Sequence, residues 1–174
     1  MSKSYRAPWS RRLTSLSIGV TILLVGVTFL VWRAASTVDS WALGLAVATP
    51  LVIMLASVLF TIRGYEVDGA LLRIRRLLWW TTVGLDGLRS VEPNPLAMKR
   101  SLRLFGNGGL YSFSGLFRSK ELGKYRAFVT DPARAVVLKL SDRTVVVSPE
   151  EPEVFSRQLR ELRRLPGPTS SQTM

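Results

Sequence analysis

Two long stretches of this chain carry no charge, and together they decide what it can fold into. Leu13 to Trp32 reads LTSLSIGVTILLVGVTFLVW, and Ser40 to Ile62 reads SWALGLAVATPLVIMLASVLFTI. A helix of roughly 20 apolar residues crosses a hydrocarbon core about 30 Å thick. A helix on the surface of a soluble protein keeps a polar face, and neither stretch has one. Residues 13–62 are therefore expected to form a membrane α-helical hairpin of two transmembrane helices, about 13–32 and 41–62, joined by a short external loop. Pro50 is compatible with a membrane helix as a kink. Trp9, Trp32 and Trp41 lie near the expected ends, at headgroup level. Ala42/Ala46 and Gly44/Ala48 place small residues where close helix packing uses them. A leader peptide is the competing reading: Ser10-Arg11-Arg12-Leu13 resembles a twin-arginine signal, and Ala34-Ala35-Ser36 a cleavage site. The long apolar run, the second stretch that comes after it and the polar Thr14 and Ser15 count against it.

Charge sets the orientation. Lys3, Arg6, Arg11 and Arg12 precede the first stretch, and Arg63, Arg73, Arg75 and Arg76 come after the second. The connection holds only Arg33 and Asp39. Basic residues favour the cytoplasmic side, so both termini are expected there. The chain divides into a basic cytoplasmic N-terminus (1–12), the hairpin (13–62), a cytoplasmic domain (63–165) and a flexible tail (166–174). From Arg63 onward 19 basic residues face 11 acidic ones, a net +8 beneath the inner leaflet. There is no cysteine and no histidine. That excludes disulfides, thiolate nucleophiles, histidine bases and the usual zinc ligand sets.

The domain reads as β structure closed by a helix. Tyr65-Glu66-Val67 runs into Asp68-Gly69, a hairpin signal. Leu71–Arg76 sets Leu72 and Ile74 on one side and Arg73 and Arg75 on the other. Leu77–Val83 and Leu88–Glu92 continue the pattern until Pro93 and Pro95 interrupt it. Tyr125–Thr130 ends at Asp131-Pro132. Arg134–Leu140 places Val136, Leu138 and Leu140 on one face, and Ser141-Asp142-Arg143 turns the chain into Thr144–Val147. A helix comes next, with Ser148 as N-cap, Pro149 at the first position, Glu151 completing an S-x-x-E box, and Phe155, Leu159 and Leu162 as its apolar stripe. Six or seven strands with one such helix predict a mainly-β, partly open antiparallel barrel with a C-terminal capping helix.

That order resembles a pleckstrin-homology (PH) domain, and more closely the PH-like domains that come after transmembrane helices in bacterial membrane proteins. The likeness spans about residues 64–163. It rests on Tyr65-Glu66-Val67-Asp68-Gly69, Arg103-Leu104-Phe105-Gly106-Asn107-Gly108-Gly109, Gly115-Leu116-Phe117, Leu122-Gly123-Lys124-Tyr125, Val129-Thr130 and Val146–Pro152 leading to Phe155. The resemblance implies a PH-like fold, membrane association at the bacterial inner (plasma) membrane and no catalytic residues. Eukaryotic PH domains bind phosphoinositides around a long first hairpin loop. Here that turn is only Asp68-Gly69, so the family's lipid pocket does not carry over.

The remaining signal is LFGNGGLYSFSGLF, residues 104–117. It lacks the G-K-[ST] ending of a phosphate loop, and Leu110-Tyr111-Ser112-Phe113, after its first glycines, look extended rather than helical. Its glycines suit positive φ and close backbone approach. The rings and leucines then cover the barrel, meet a partner or enter the bilayer interface. Lys99, Arg100 and Arg103 precede the segment, and Arg118, Lys120, Lys124 and Arg126 come after it. Leu110, Tyr111, Phe113, Leu116 and Phe117, with Lys99, Arg100, Arg103, Arg118, Lys120 and Lys124, form the candidate contact surface for a protein partner or anionic lipids. Nucleic-acid binding finds no motif. The acids sit in turns or at the final helix start, where they complement its dipole. No catalytic residue, cofactor or metal is expected. The function expected is non-enzymatic binding, with a structural subunit assembled through the spans as the alternative.

Overall fold

The computed structural model describes residues 3–33 and 40–164. The expected external loop with Asp39, the Ala34-Ala35-Ser36 segment and the tail 166–174 lie outside the described residues, as does the Ala42 side chain.

The chain opens with strand β1 (Lys3–Arg6), within the segment expected to be only a basic tail. Two apolar helices come next, α1 (Arg11–Arg33) and α2 (Ser40–Leu59), and they pack on each other. Ser10 caps α1, its hydroxyl accepting from the Leu13 N–H at 3.1 Å. By length and composition α1 is able to cross a membrane; α2 carries the shorter apolar run Leu43–Leu59. The second helix ends three residues before the expected boundary, because Ile62 leaves it to enter the domain core.

Strands β2 (Ile62–Asp68), β3 (Leu71–Arg76) and β4 (Trp80–Gly84) extend from β1 as one antiparallel sheet, in the order β1-β2-β3-β4. The turn between β2 and β3 is Gly69-Ala70, with Gly69 at φ 56°. The second sheet comprises β5 (Leu88–Pro93), β6 (Leu102–Gly108), β7 (Phe113–Ser119), β8 (Gly123–Val129), β9 (Val136–Leu140) and β10 (Thr144–Val147). Its order is β5-β9-β10-β8-β7-β6. The expected all-antiparallel arrangement fails at one pair: β10 runs parallel to β8. After β8, the 3-10 turn Pro132–Arg134 leads into the β9–β10 hairpin, which folds β10 back between its partner and β8.

The main core lies between the two sheets and helix α3 (Pro152–Arg163). Phe155 and Leu159 are fully buried there, while Leu162, expected in the same stripe, is 51% exposed. The expected N-cap is also displaced. Glu151 occupies that position, and Pro152 opens the helix. Ser148 has stronger competition: its Oγ accepts from the N–H groups of Thr130 (2.8 Å) and Asp131 (3.2 Å). Tyr65 joins this buried knot, its hydroxyl donating to the Phe128 carbonyl at 2.6 Å and accepting from the Ser148 N–H at 3.2 Å. A smaller cluster on the far face of the second sheet holds Phe117, Tyr125, Ala127, Val129, Val137 and Val146 beneath Ala97.

Burial pushes the Tyr65 phenol up to about 12, against hydrogen bonds from Ser148 that favour ionisation. A raised pKa leaves stability intact below the unfolded value near 10 and removes it as pH climbs toward 12. The wild type is therefore expected to lose about 2–3 kcal/mol across that window that Tyr65→Phe does not lose. Chemical denaturation of both proteins at stepped pH measures the difference.

Candidate functional site

The glycine-rich segment is a β-hairpin, not a loop. Strands β6 and β7 pair so that Gly106 faces Gly115, both at positive φ (104° and 148°). A Cβ on Gly106 would lie 2.4 Å from the Ser114 carbonyl oxygen, and one on Gly115 2.2 Å from that of Phe105. Glycine is required because the two backbones cross at this point. At the tip, the Asn107 carboxamide oxygen accepts from the Leu110 N–H at 3.0 Å, and the Gly109 N–H donates to the Ser112 carbonyl at 3.2 Å.

This tip grips α1. Tyr111, at φ 61°, donates its N–H to Ser17 Oγ at 3.0 Å. Its hydroxyl lies 2.8 Å from Thr21 Oγ1. Because that threonine gives its own proton to the Ser17 carbonyl, the phenol is the donor. Trp9 closes over the ring edge at 5.9 Å. Ser17 and Thr21 share a face one turn apart. The contact therefore fixes the hairpin against the lower turns of the first apolar helix.

Register sorts the remaining candidates onto two faces of the second sheet. One face carries Leu102, Phe105 and Asn107 of β6, Ser114, Leu116 and Arg118 of β7, and Lys124, Arg126 and Phe128 of β8. Phe105 is 80% exposed and Leu102 71%. Near the end of α2 this face opens into a groove of about 650 Å³, where Ala56 and Phe60 meet Phe105, Leu116, Arg76 and Arg126. The opposite face carries Arg103, Phe113 and Phe117. They line a second groove of about 920 Å³ with Lys99 and with Trp9, Arg11 and Arg12 at the start of α1. Its one acid among the described residues, Asp131, is already paired with Arg134 at 3.5 Å.

The structure thus separates what the sequence groups together. Lys99, Arg103, Phe113 and Phe117 converge in the second groove. Leu116, Arg118 and Lys124 lie on the other face. Leu110 and Tyr111 belong to the tip on α1, and Arg100 and Lys120 are exposed in the connections beside β6 and β8. Phe117 is core rather than contact surface, 4% exposed and stacked on Tyr125 at 6.0 Å.

Sequence reasoning counted Arg76 only among the basic residues after the second apolar stretch and did not place it inside the domain. It is 6% exposed, on the same side of β3 as the buried Leu72 and Ile74. The two-residue alternation that placed those leucine and isoleucine side chains inward also places Arg76 inward. Desolvation, then the neighbouring Arg126, lowers its pKa from the ordinary value.

A mainly-β domain of two sheets, capped by a C-terminal helix and joined to an N-terminal apolar helix, is a PH-like module. Residues 63–163 match the family model described as "Bacterial PH domain", and the chain belongs to that family. No curated protein matches the chain, and no solved structure does.

Two substitutions test the hairpin. Gly115→Ala is expected to raise hydrogen exchange across 102–119, since the β6–β7 pairing cannot absorb the Cβ; an unchanged exchange pattern would contradict the crossing. Tyr111→Phe removes one hydrogen bond, about 1 kcal/mol. It should raise exchange at residues 107–113 by roughly fivefold while sparing β8–β10.

Proposed function

We propose that this chain is a non-enzymatic, multi-pass protein of the bacterial inner membrane, whose cytoplasmic PH-like domain is held against the anionic leaflet by its own two spans. The observation that carries this reading is the β1–β2 pairing. Lys3 to Arg6 lie opposite Val67 to Gly64, so the residues before α1 and those after α2 share one side of any membrane. If α1 crosses, the chain must cross back before Ile62, and α2 is the segment available. The shorter apolar run of α2 agrees with this reading once Trp41 and Phe60 are taken as interfacial ends.

Further observations support it. Large apolar side chains stand exposed along both helices, among them Ile22, Leu30, Val52 and Leu55. Water makes such a surface costly and hydrocarbon does not. Cleavage near Ala34–Ser36 would take Tyr5 out of the core and strip β1 from its sheet. The basic sheet face with Leu102, Phe105, Leu116, Arg118, Lys124 and Arg126 joins the end of α2, so it meets headgroups where that helix leaves the bilayer. Each such cation is worth about 1 kcal/mol at an anionic surface. A protein partner is the second reading. It is favoured by β6, an edge strand that leaves Leu102, Leu104 and Phe105 exposed with one row of backbone groups unpaired.

Full-length protein in nanodiscs with and without phosphatidylglycerol tests the reading. Hydrogen exchange at 102–106, 116–118 and 123–126 is expected to slow only in the anionic discs. Arg118→Gln/Lys124→Gln should reverse the effect by about 2 kcal/mol, roughly 30-fold in the contact equilibrium. Reporter fusions at the two termini should report the same, cytoplasmic side. Opposite sides, or protection equal in neutral discs, would overturn the proposal.

A further inference from the structure

Arg76 presents an unusual problem in charge. Its Nε–H donates to Thr81 Oγ1 at 3.0 Å, one terminal nitrogen to the Phe60 carbonyl at 2.7 Å, and the other to Ser114 Oγ at 2.9 Å. Its guanidinium lies 5.4 Å from the Phe60 ring centre and 5.7 Å from that of Phe128. Three of five N–H groups are used, and none meets a carboxylate of the described residues. The ion pairs among the described residues belong to Arg73, Arg134, Arg143 and Arg163. A second cation, Arg126, sits 5.4 Å from the same Phe128 ring. Among the described residues, these two are the only charged ones lining the groove of about 650 Å³ at the end of α2.

Part of this charge has a structural explanation. The carbonyl end of α2 carries a partial negative charge, roughly half an electron, and Arg76 is placed to meet it. That leaves Arg126 and the two remaining Arg76 N–H groups, with like charges facing one cavity. Arg76 is buried and Arg126 exposed at the groove's mouth; a buried cation that faces a second one is unfavourable unless an anion joins them. The cavity walls say more about the anion. On one side Ala56 and Phe60 continue the apolar surface of α2; on the other stand Phe105 and Leu116. The volume falls in the ordinary range for a small-molecule site. A fully hydrated anion would waste these walls. One with an apolar tail would use them.

We infer that this groove binds one anionic phospholipid, its phosphodiester held between Arg76 and Arg126 and an acyl chain lying along α2 against Phe60 and Phe105. The guanidinium fork suits phosphate oxygens in geometry as well as charge. The site lies at the opposite end of β3 from the short Gly69-Ala70 turn and draws on the β6–β7 hairpin. Occupancy ties that hairpin to the end of α2, as Tyr111 ties it to α1. The inference rests on the membrane-anchored reading above, because it needs α2 within reach of acyl chains.

Native mass spectrometry of the full chain, stripped of lipid in detergent and then given phosphatidylglycerol, phosphatidylcholine or inorganic phosphate, tests it. Phosphatidylglycerol should give a one-to-one adduct about tenfold or more stronger than phosphatidylcholine. Arg126→Gln, an exposed position where misfolding is not expected, should cut that adduct about tenfold. Lys99→Gln/Arg103→Gln, in the opposite groove, should leave it unchanged. Phe105→Ser should weaken the phospholipid adduct while leaving the fold intact. Inorganic phosphate should not compete. Equal adducts with both lipids, no effect of Arg126→Gln, or displacement by inorganic phosphate would each overturn the lipid site. The nanodisc exchange experiment separates the two ideas. If Arg126→Gln leaves the adduct unchanged while anionic discs still protect the sheet face, the site fails and the leaflet reading stands. If neither protein shows protection, both fail.

Discussion

The pairing of β1 with β2 is the constraint on which everything else hangs. It makes the two apolar helices an insertion between adjacent strands of one sheet, so the chain leaves the domain and re-enters it at the same edge. The closure is tight. Gly64 admits the Tyr5 carbonyl so closely that a Cβ would lie 2.7 Å from it. Residues 6–10 are then strapped down one after another. The Ala7 N–H donates to the Arg63 carbonyl at 3.3 Å, Thr130 Oγ1 to the Pro8 carbonyl at 2.8 Å, and the Glu150 N–H to the Arg6 carbonyl at 3.0 Å. Tyr5 reaches the core, edge-on to Phe155 at 5.1 Å. Closing so long a loop costs entropy that grows only slowly with length, and these contacts offset it. Neither helix can shift along its axis without disturbing the sheet that holds both ends.

That closure brings two further grips on the helices, each made by an unusual residue. Tyr111 adopts a left-handed backbone conformation, uncommon for a large side chain, to lay its ring beside Ser17 and Thr21. Arg76 sacrifices solvation to reach the carbonyl of Phe60 just beyond α2. Both residues meet elements of the same hairpin, since the tip carries Tyr111 and β7 supplies Ser114 to Arg76. A change in how β6–β7 packs is therefore felt at both helices. Tyr111's left-handed backbone and Arg76's unpaired charge both stand where the domain meets the helices, while the knot around Tyr65 and Ser148, well inside, is satisfied by its own hydrogen bonds.

Much of this was legible in the residues. The uncharged stretches, the alternation in β3 and β9, the breaks at Pro93 and Asp131-Pro132, and the Phe155/Leu159 stripe each express a period that local geometry enforces. The features that stayed hidden depended on partners distant in sequence. Lys3-Ser4-Tyr5-Arg6 carries one buried side chain, too little to signal a strand without β2 beside it. Gly106 and Gly115 look like breakers singly and become a crossing only when paired. Ser148 satisfies every local rule for an N-cap, yet Thr130 and Asp131 claim its hydroxyl. Arg76 was the readable exception: carrying the alternation one step past Ile74 places a cation inside, a position that seldom occurs without a reason.

The sheet face beside α2 shows the same economy of exception. Arg118 and Lys124 stand directly opposite each other across β7 and β8, a like-charge pair that disfavours the sheet where it lies open to water. Phe105 beside them is almost wholly uncovered. A surface selected only for solubility would exchange one of those cations for an acid and the ring for a polar group. Retaining both makes sense where the face meets anions and hydrocarbon at once, since repulsion between the cations then becomes attraction to a third charge. The neighbouring Arg126 is still exposed, whereas Arg76 carries this logic into the buried wall of the groove, where charges interact more strongly. The gradient runs from the exposed Arg118, Lys124 and Arg126 at the sheet margin to the buried Arg76 at the foot of α2, which is the order in which a headgroup would meet them on the lipid reading proposed above.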